Sequence, residues 1–291
     1  KSYVQSALKK GIDINTLGKR LSFFFNAHNN LFEEVAKFRA ARKIWAQIMK
    51  DLGATDPKAM MLRFHTQTGG STLTQQQPLN NISRVTIQAL AAVLGGTQSL
   101  HTNGYDEALG LPTEEAAQVA LRSQQIIAFE SGAVDTADPL GGSFYVEALT
   151  SEMETAINKL IDYIDQKGGS VKAIEEGYIQ EQIAQSAYQY QRAIEEKAKI
   201  IVGVNQVTVQ EKTTTPIFKI DDQVRFDQVE KIKKLKANRD QNKVEANLQA
   251  IKSAAMGTEN LMPLVIEAVE NHCTLGEISD VLRSVFGEHR Q

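Results

Sequence analysis

The strongest constraint on the fold is a pattern that occurs three times in the first half of the chain. A short apolar segment, typical of a buried strand, is followed by a longer segment with apolar side chains at helical spacing. The strands are predicted at residues 20–27, 60–67 and 97–103, and the helices near 30–50, 79–94 and from 112 onward. Thr113 is the predicted N-cap of the third helix. This alternation is typical of a parallel α/β sheet or barrel. Three strands cannot close a barrel, which needs eight, so we expect the missing strands upstream of Lys1 or in another chain.

The second half of the chain is predicted to be mostly helical. Helices are predicted near 147–167, 170–176, 179–199, 224–237, 241–256, 260–271 and 274–286, with a β-like stretch at 200–204 and a polar loop at 210–215. We therefore expect two regions, an α/β region over residues 1–141 and a helical region over residues 142–291.

The composition excludes several classes of protein. With 42% hydrophobic and 23% charged residues, the chain is typical of a globular protein rather than a disordered or fibrous one. The 32 Lys and Arg face 35 Asp and Glu, so no overall positive field exists to bind nucleic acid. The lysines between Lys231 and Lys236 have few aromatic neighbours and are interpreted as a solvated helix face. No apolar run approaches the ~20 residues of a membrane helix, so no membrane partner is expected.

Two further features concern the setting of the protein. The single Cys273 can form no disulfide within the chain, which indicates a reducing, cytoplasmic environment. The chain starts at Lys1 without Met and without the pattern of a signal peptide, so we expect a trimmed piece of a longer protein.

Polar side chains are unusually frequent on the first two predicted strands. Arg20 and Ser22 have the i, i+2 spacing that puts both on one side of a strand. The guanidinium could bind a phosphate or carboxylate, or could pair with an acidic side chain of the protein. Arg63, His65 and Gln67 share one face of the second strand at the same spacing. Three long polar side chains are costly to bury in a dry core, so this row indicates the lining of a ligand cavity.

The third predicted strand carries a similar polar load. It includes His101 and Asn103, and Glu107 follows shortly after it. His65 and His101 could form a metal site with Glu107 or Asp106, but the chain contains no HExxH or HxH pair, and a lone histidine more often makes an ordinary hydrogen bond. We therefore predict no metal site, and a metal-dependent hydrolase stays as an alternative hypothesis.

Four sequence runs occur in one order and at characteristic distances: Arg20-Leu21-Ser22-Phe23-Phe24, His65-Thr66-Gln67-Thr68, Gly95-Gly96-Thr97-Gln98-Ser99-Leu100-His101-Thr102-Asn103 and Asp138-Pro139-Leu140-Gly141-Gly142-Ser143. Together they resemble the large-subunit family of adenosylcobalamin-dependent acyl-CoA mutases, which includes methylmalonyl-CoA mutase. The similarity extends to Gly276-Glu277-Ile278-Ser279-Asp280 and Val285-Phe286-Gly287-Glu288. The resemblance therefore covers essentially the whole chain.

The resemblance implies a fold and a set of site residues. Residues 1–141 would be the last three strand–helix units of a (β/α)8 TIM barrel, and residues 142–291 a helical region that contacts the barrel and a cobalamin subunit. Six residues would hold the CoA ester: Arg20, Ser22, Phe24, Lys58, Gln98 and Ser99. Two would be catalytic, lining the reaction chamber near the thioester: His65 and Gln67. Two would hydrogen-bond the adenosyl ribose: Asn103 and Glu107.

The implied activity is an isomerase reaction, the radical 1,2-migration of a carbonyl-CoA group, as from methylmalonyl-CoA to succinyl-CoA. The cofactor would be adenosylcobalamin, which supplies the radical chemistry while the protein positions the substrate. The implied partners are the acyl-CoA substrate, the N-terminal remainder of the barrel and a cobalamin-binding small subunit. We expect a hetero-oligomer in which this segment alone is inactive.

The sequence departs from the family at two points. Ser71 stands where methylmalonyl-CoA mutases usually carry Trp, which suggests a two-subunit mutase. The chain contains no Asp-x-His-x-x-Gly, the family's cobalt-ligating motif, so we expect the cobalt ligand from another domain or chain. An isobutyryl-CoA or 2-hydroxyisobutyryl-CoA mutase large subunit remains an alternative. A non-catalytic assembly fragment that docks a cobalamin-binding subunit is an alternative of another class.

Overall fold

A computed structural model describes residues 1–210 and 216–288. Its elements are α1 (Ser2–Lys9), α2 (Ile14–Gly18), β1 (Phe23–Ala27), α3 (Leu31–Asp51), α4 (Pro57–Met60), β2 (Phe64–Thr68), α5 (Asn80–Leu94), β3 (Ser99–His101), α6 (Glu114–Glu130), α7 (Phe144–Gln166), α8 (Ser170–Glu175), α9 (Tyr178–Glu195), α10 (Asp222–Asn238), α11 (Gln241–Ala255), α12 (Leu261–Glu270) and α13 (Leu275–Phe286). The fold is α/β, with a parallel three-stranded sheet and a mostly helical remainder. The loop predicted at 210–215 lies outside the described residues from residue 211 on.

The chain divides into two compact units, Lys1–Phe218 and Lys219–Gln291. The boundary predicted between residues 141 and 142 is not a boundary between these units, because α7 packs against α3 within the first unit. Arg39 of α3 contributes to this packing through ion pairs with Asp138 at 3.2 Å and Glu147 at 2.6 Å. The boundary at 141 stays a prediction of where a barrel region would end.

The sheet has the strand order β1-β2-β3, and both strand pairs are parallel. Its register pairs Phe24 with His65 and His65 with Ser99, and two residues further on it pairs Gln67 with Asn26 and His101. Paired residues share a face, and successive residues of a strand alternate between faces. One face therefore carries six side chains, and we call it the polar face: Phe24, Asn26, His65, Gln67, Ser99 and His101.

The opposite face of the sheet packs against helices and forms the core of the first unit. Phe25, Phe38 and Phe64 pack edge-on or stacked, with ring centroids 5.1–5.9 Å apart, and Phe38 is fully buried. Such aromatic pairs contribute about 1 kcal/mol each beyond their buried area. On the polar face, by contrast, Phe24 is 66% exposed in this structure. The apolar packing thus holds the sheet from one side and leaves the polar face accessible.

The strands are shorter than predicted, which changes the placement of Arg20 and Ser22. β1 begins only at Phe23, because α2 ends at Gly18 and the chain then makes a turn in which Arg20 N donates to Leu17 O at 2.8 Å. The prediction that Arg20 and Ser22 share a strand is therefore wrong. Both lie in the connection from α2 to β1, at the amino end of the strand.

The helical predictions are confirmed to within a few residues, and the β-like stretch at 200–204 is not. That stretch forms only an isolated bridge between Val202 and Gln206. The prediction that Thr113 caps α6 is confirmed, because its hydroxyl accepts from Ala116 N at 3.2 Å. None of the described helices combines the length and the apolar character that crossing a membrane requires.

The second unit consists of α10 to α13. Its core contains Val244, Ile251 and Ile278 together with the thiol of Cys273. Burial raises the pKa of that thiol, which is 7% exposed and behaves as a core side chain.

Candidate functional site

The predicted site residues lie on the polar face and in the connections at both ends of its strands. Phe24, His65 and Ser99 form one row across the sheet, and the row of Asn26, Gln67 and His101 lies closer to the carboxyl ends. β2 has five residues and is therefore about 16 Å long. Groups at the two ends of the strands are separated by roughly that distance and can contact different parts of one long ligand.

Four of the residues expected to bind the CoA ester lie at the amino ends of the strands. Arg20 and Ser22 precede β1, Lys58 lies on α4 before β2, and Gln98 immediately precedes β3. The side chains of Arg20 and Lys58 are exposed and bring two positive charges to this end of the sheet. Guanidinium and ammonium groups in accessible positions are suited to bind phosphates.

Two polar side chains at the amino end are bonded to the backbone. Gln98 Oε1 accepts from Phe64 N at 2.6 Å, and Gln98 Nε2 donates to Gly96 O at 3.2 Å. Arg63 donates to Gly18 O at 2.9 Å and so ties the start of β2 to α2. The structure therefore separates Arg63 from the row that the sequence predicts, and it gives Gln98 a role in holding the strand ends together.

His65 is held in one orientation near the centre of the polar face. Its Nδ1 lies 2.7 Å from Ser99 Oγ, and its ring centroid lies 4.6 Å from that of Phe24, with the two planes tilted by 44°. When the Ser99 hydroxyl donates to Nδ1, the neutral ring carries its proton on Nε2. Nε2 can then donate a hydrogen bond to a ligand on this face.

The next row joins the face to the loop after β3. Gln67 Nε2 donates to Asn103 Oδ1 at 3.0 Å, and Asn103 N donates to Thr68 Oγ1 at 2.9 Å. Because Asn103 Oδ1 accepts from Gln67, the side-chain nitrogen Nδ2 points away from Gln67. Asn103 is 2% exposed, and Nδ2 has no hydrogen-bond partner within the described residues. An unsatisfied buried donor costs about 1–3 kcal/mol, so a ligand with an acceptor here would remove that cost.

The space beside Asn103 Nδ2 is bordered by Gly70 and Glu107. A methyl group on Gly70 would lie 2.8 Å from Asn103 Nδ2 and 3.4 Å from Glu107 Oε1. An amide donor and a carboxylate acceptor thus face the same small space. This pair suits the two hydroxyls of a ribose, one accepting from the amide and the other donating to the carboxylate. The residues present therefore fit the adenosyl group that the resemblance implies.

Gln88, a buried amide on α5 that was not predicted as a site residue, holds the loops next to this space. Gln88 Oε1 accepts from Gly69 N at 2.8 Å, and Gln88 Nε2 donates to Thr72 Oγ1 at 2.6 Å and to Asn29 Oδ1. The side chain is fully buried. It therefore links the loop after β1 with the loop after β2.

A second missed amide, Asn81, holds the loop after β3. Asn81 Oδ1 accepts from Thr74 N at 3.1 Å, and Asn81 Nδ2 donates to Thr74 O and to Tyr105 O, both at 2.9 Å. The sequence contains a pattern that could have identified both amides as buried residues. Together with two apolar residues they form the buried stripe of α5 at spacings typical of one helix face: Asn81, Val85, Gln88 and Ala92.

The loop after β3 is closed by Asp106, which the sequence analysis weighed only as a metal ligand. Asp106 is 2% exposed, and its Oδ2 accepts from Thr113 N at 2.8 Å and from Thr113 Oγ1 at 3.0 Å. These bonds anchor the loop that carries Asn103 and Glu107 to the start of α6. Burial raises the pKa of the neighbouring Tyr105 phenol.

The alternative metal site at His65, His101 and Glu107 is not supported by the side-chain positions. Across residues 1–210 and 216–288, no group of three or more His, Cys, Asp or Glu side chains is arranged to hold a metal ion. His65 is instead bonded to Ser99, and Glu107 lies beside Asn103 and Gly70.

Comparison with known proteins gives matches over nearly the whole chain. The family described as methylmalonyl-CoA mutase matches residues 1–288. The chain is 45% identical over 293 aligned residues to the 2-hydroxyisobutanoyl-CoA mutase large subunit of Aquincola tertiaricarbonis, covering 100% of this chain and 52% of that protein. It is 44% identical to the mitochondrial methylmalonyl-CoA mutase of Bos taurus, covering 99% of this chain and 39% of that protein. It is 43% identical to the methylmalonyl-CoA mutase of Escherichia coli, covering 99% of this chain and 40% of that protein.

The chain thus spans about half of the large-subunit relative and about two fifths of the two methylmalonyl-CoA mutases. The match of the family over residues 1–288 leaves no major part of the described structure outside it. The chain belongs to the methylmalonyl-CoA mutase family.

Proposed function

We propose that this chain is part of an acyl-CoA mutase that moves a carbonyl-CoA group between neighbouring carbons with adenosylcobalamin. The observation that carries the proposal is the division of the polar face into two ends with different chemistry. Cationic side chains lie at the amino ends of the strands. At the carboxyl ends, Asn103 Nδ2, which has no hydrogen-bond partner in the part of the chain that the structure describes, lies beside the Glu107 carboxylate. A CoA ester and an adenosyl group could therefore meet over the row that contains His65.

The proposed barrel follows from the same sheet. Residues 1–141 would supply the last three strand–helix units of a (β/α)8 barrel, with the polar face turned to the interior. Two features support this placement. Helix α3 packs on the other face of the sheet while Phe24 on the polar face is exposed, and β1 and β3 are outer strands within the described residues. Unpaired strand edges need covering, so we propose that the N-terminal remainder of the barrel pairs with them.

The CoA ester would bind through six residues: Arg20, Ser22, Phe24, Lys58, Gln98 and Ser99. The guanidinium of Arg20 and the ammonium of Lys58 would bind phosphate oxygens at the amino ends. Phe24 is exposed on the polar face and would pack against the extended part of the ligand. Gln98 would act mainly by holding the strand ends, since its amide oxygen already accepts from the backbone.

His65 and Gln67 would act at the reacting end of the substrate. The Ser99–His65 bond leaves Nε2 free to donate to a thioester carbonyl oxygen, which would fix the orientation of the acyl group. Gln67 donates a hydrogen bond to Asn103 and would fix the position of the acyl end of the site relative to the adenosyl end. The face also excludes water once the barrel is complete, which protects reactive species from side reactions.

Asn103 and Glu107 would hold the adenosyl ribose. Asn103 Nδ2 would donate to one hydroxyl and the Glu107 carboxylate would accept from the other. When bound, adenosylcobalamin supplies the radical that starts and ends the rearrangement. The cobalt ligand would come from another domain or chain.

The proposed partners rest on the family resemblance and on the relative that is named a large subunit. We propose a hetero-oligomer with a cobalamin-binding subunit, in the cytoplasm, where the single buried thiol of Cys273 would stay reduced. The acyl group remains a choice among methylmalonyl-, isobutyryl- and 2-hydroxyisobutyryl-CoA. The large-subunit relative makes the last of these a well-motivated candidate.

The test is a mutase assay with the complete enzyme. This chain would be combined with its complementary N-terminal segment, a cobalamin-binding subunit and adenosylcobalamin, and offered each of the three CoA esters. We expect rearrangement of one ester, and we expect calorimetry to detect binding of that ester independently of turnover. If the assembled protein binds the cobalamin subunit but no CoA ester, the chain is a non-catalytic assembly piece and the proposal is wrong.

A further inference from the structure

We propose that Gln88 is a positioning residue for the adenosyl-binding pair Asn103 and Glu107. The inference rests on the proposed function and deepens it, because Gln88 contacts neither the proposed substrate nor the proposed cofactor. It acts through the tight turn that follows β2.

Gln88 contacts both ends of that turn. Gln88 Oε1 accepts from Gly69 N at 2.8 Å, and Gln88 Nε2 donates to Thr72 Oγ1 at 2.6 Å. Thr72 Oγ1 in turn donates to Gly69 O at 2.6 Å, which closes the turn on itself. The second proton of Gln88 Nε2 is donated to Asn29, so both amide protons and the oxygen are used.

The turn has little free space around Gly69. Gly69 N also donates to Ala27 O at 2.8 Å, and a methyl group on Gly69 would lie 2.6 Å from the His28 ring. The turn is therefore held between the loop after β1 and the Gln88 amide. It cannot shift toward β1, and Gln88 prevents the shift in the other direction.

The turn also borders the proposed ribose space through Gly70. Gly70 lies within this turn, and a methyl group on it would lie 2.8 Å from Asn103 Nδ2. A displacement of the turn by a fraction of that distance would move backbone into the space between Asn103 and Glu107. The position of Gly70 thus sets how much room the ribose has, and Gln88 sets the position of Gly70.

The experiment compares three variants of the complete enzyme. Gln88→Met keeps the side-chain volume and removes all three hydrogen bonds. Gln88→Glu is nearly isosteric and keeps an oxygen for Gly69 N, but it removes the donor to Thr72 Oγ1, whose own proton is given to Gly69 O. Val85→Ala changes a residue of the same buried stripe that does not hydrogen-bond the turn, and it controls for loss of packing. The readouts are the dissociation constants of adenosylcobalamin and of the CoA ester, and hydrogen exchange of the segment 69–73.

We expect Gln88→Met to weaken adenosylcobalamin binding about tenfold, with the CoA ester affected by less than about twofold. Exchange in the segment 69–73 should become faster, and Gln88→Glu should also weaken adenosylcobalamin binding, because it lacks the donor to Thr72 Oγ1. The inference is wrong if Gln88→Met binds adenosylcobalamin as the wild type does, or if Val85→Ala reproduces its effect on both ligands. If the wild-type complex itself binds no adenosylcobalamin, the proposed function fails, and this result is distinct from a failure confined to Gln88.

Discussion

The side-chain amide of Gln67 donates to Asn103 Oδ1 at 3.0 Å, and this bond determines which way the buried amide of Asn103 points. With its oxygen engaged, Asn103 presents Nδ2 to the space beside Gly70 and Glu107. Gln67 on the polar face therefore determines that the loop after β3 presents a hydrogen-bond donor, rather than an acceptor, to this space. The relationship joins the proposed catalytic and cofactor-binding residues into one unit.

Replacing Gln67 by Leu should weaken the adenosyl site without unfolding the protein. Asn103 would lose the donor that orients it, and its amide could rotate to present Oδ1 to the ribose instead. We expect a tenfold or greater increase in the dissociation constant of adenosylcobalamin for the complete enzyme, roughly the effect of one misdirected hydrogen bond. Ser83→Ala, on the exposed side of α5, is the control and should leave that constant unchanged. Wild-type affinity in a folded Gln67→Leu protein would show that Gln67 does not orient Asn103.

Replacing Ser99 by Ala should release the His65 ring. Without the Oγ that lies 2.7 Å from Nδ1, the neutral imidazole loses the bond that selects its protonated nitrogen. We expect the ¹⁵N shifts of the ring to change toward a mixture of tautomers, and turnover of the complete enzyme to fall about tenfold. Ser99→Thr retains the hydroxyl and should keep the wild-type ring signals. Unchanged ring shifts in Ser99→Ala would contradict the assignment.

Replacing Gly70 by Ala should crowd the ribose space. The added methyl group would lie 2.8 Å from Asn103 Nδ2, so either the turn or the asparagine must move. We expect a loss of stability of about 1–3 kcal/mol, typical of overpacking, and weaker adenosylcobalamin binding. Gly276→Ala is the matched control, since no atom beyond its chain neighbours and its own helix backbone lies within 4 Å of the added methyl group. That control should be neutral or stabilising by up to about 1 kcal/mol, because it replaces a helical glycine. Equal thermal stability and affinity for Gly70→Ala and the wild type would refute the predicted crowding.

Replacing Glu277 by Gln should destabilise the second unit. Arg239 is 3% exposed and donates to both Glu277 oxygens, at 2.6 and 2.7 Å, so the change leaves a buried cation without its counter-ion. We expect the free energy of unfolding of the second unit to fall by about 3 kcal/mol, the usual cost of removing one partner of a buried ion pair. Cys273 provides the probe, because it is the single cysteine and is buried, so its rate of thiol labelling reports opening of this unit. Asp280→Asn, in an exposed pair with Arg283, should change the rate by less than about twofold.

The ion pair between Arg239 and Glu277 predicts that the stability of the second unit depends on pH. The hydrogen bonds from Arg239 hold the pKa of Glu277 well below its ordinary value. A carboxyl group whose pKa is lower in the folded state contributes stability above its unfolded pKa of about 4.3 and loses that contribution as the pH falls further. We expect the Tm of the second unit to decrease between about pH 5 and pH 2. Glu277→Gln should show a shallower decrease over this window, and parallel curves for the two proteins would contradict the assignment.

Much of the architecture could be predicted from local patterns. The apolar spacing of α5 and the capping by Thr113 are short-range features, and both are confirmed within one or two residues. The alternation of His65 and Gln67 also identified a polar face on β2, because strand geometry puts every second side chain on one side, whereas Arg63 lies before the strand. The start of β1 was mispredicted. The apolar pattern did not predict the short helix α2, which is capped by Asp13. The turn that follows this helix delays the start of β1 to Phe23.

The sequence by itself determined the succession of strands and helices, the polar character of one sheet face and the membership of the family. Each of these depends on residues a few positions apart or on the order of short motifs. Only the tertiary structure decided which polar side chains meet. Gln67 and Asn103 are 36 residues apart, and Gln88 and Gly69 are 19 apart. Such contacts depend on the register of the sheet and on the packing of α5 beside it, and neither quantity is encoded in any local window of the chain.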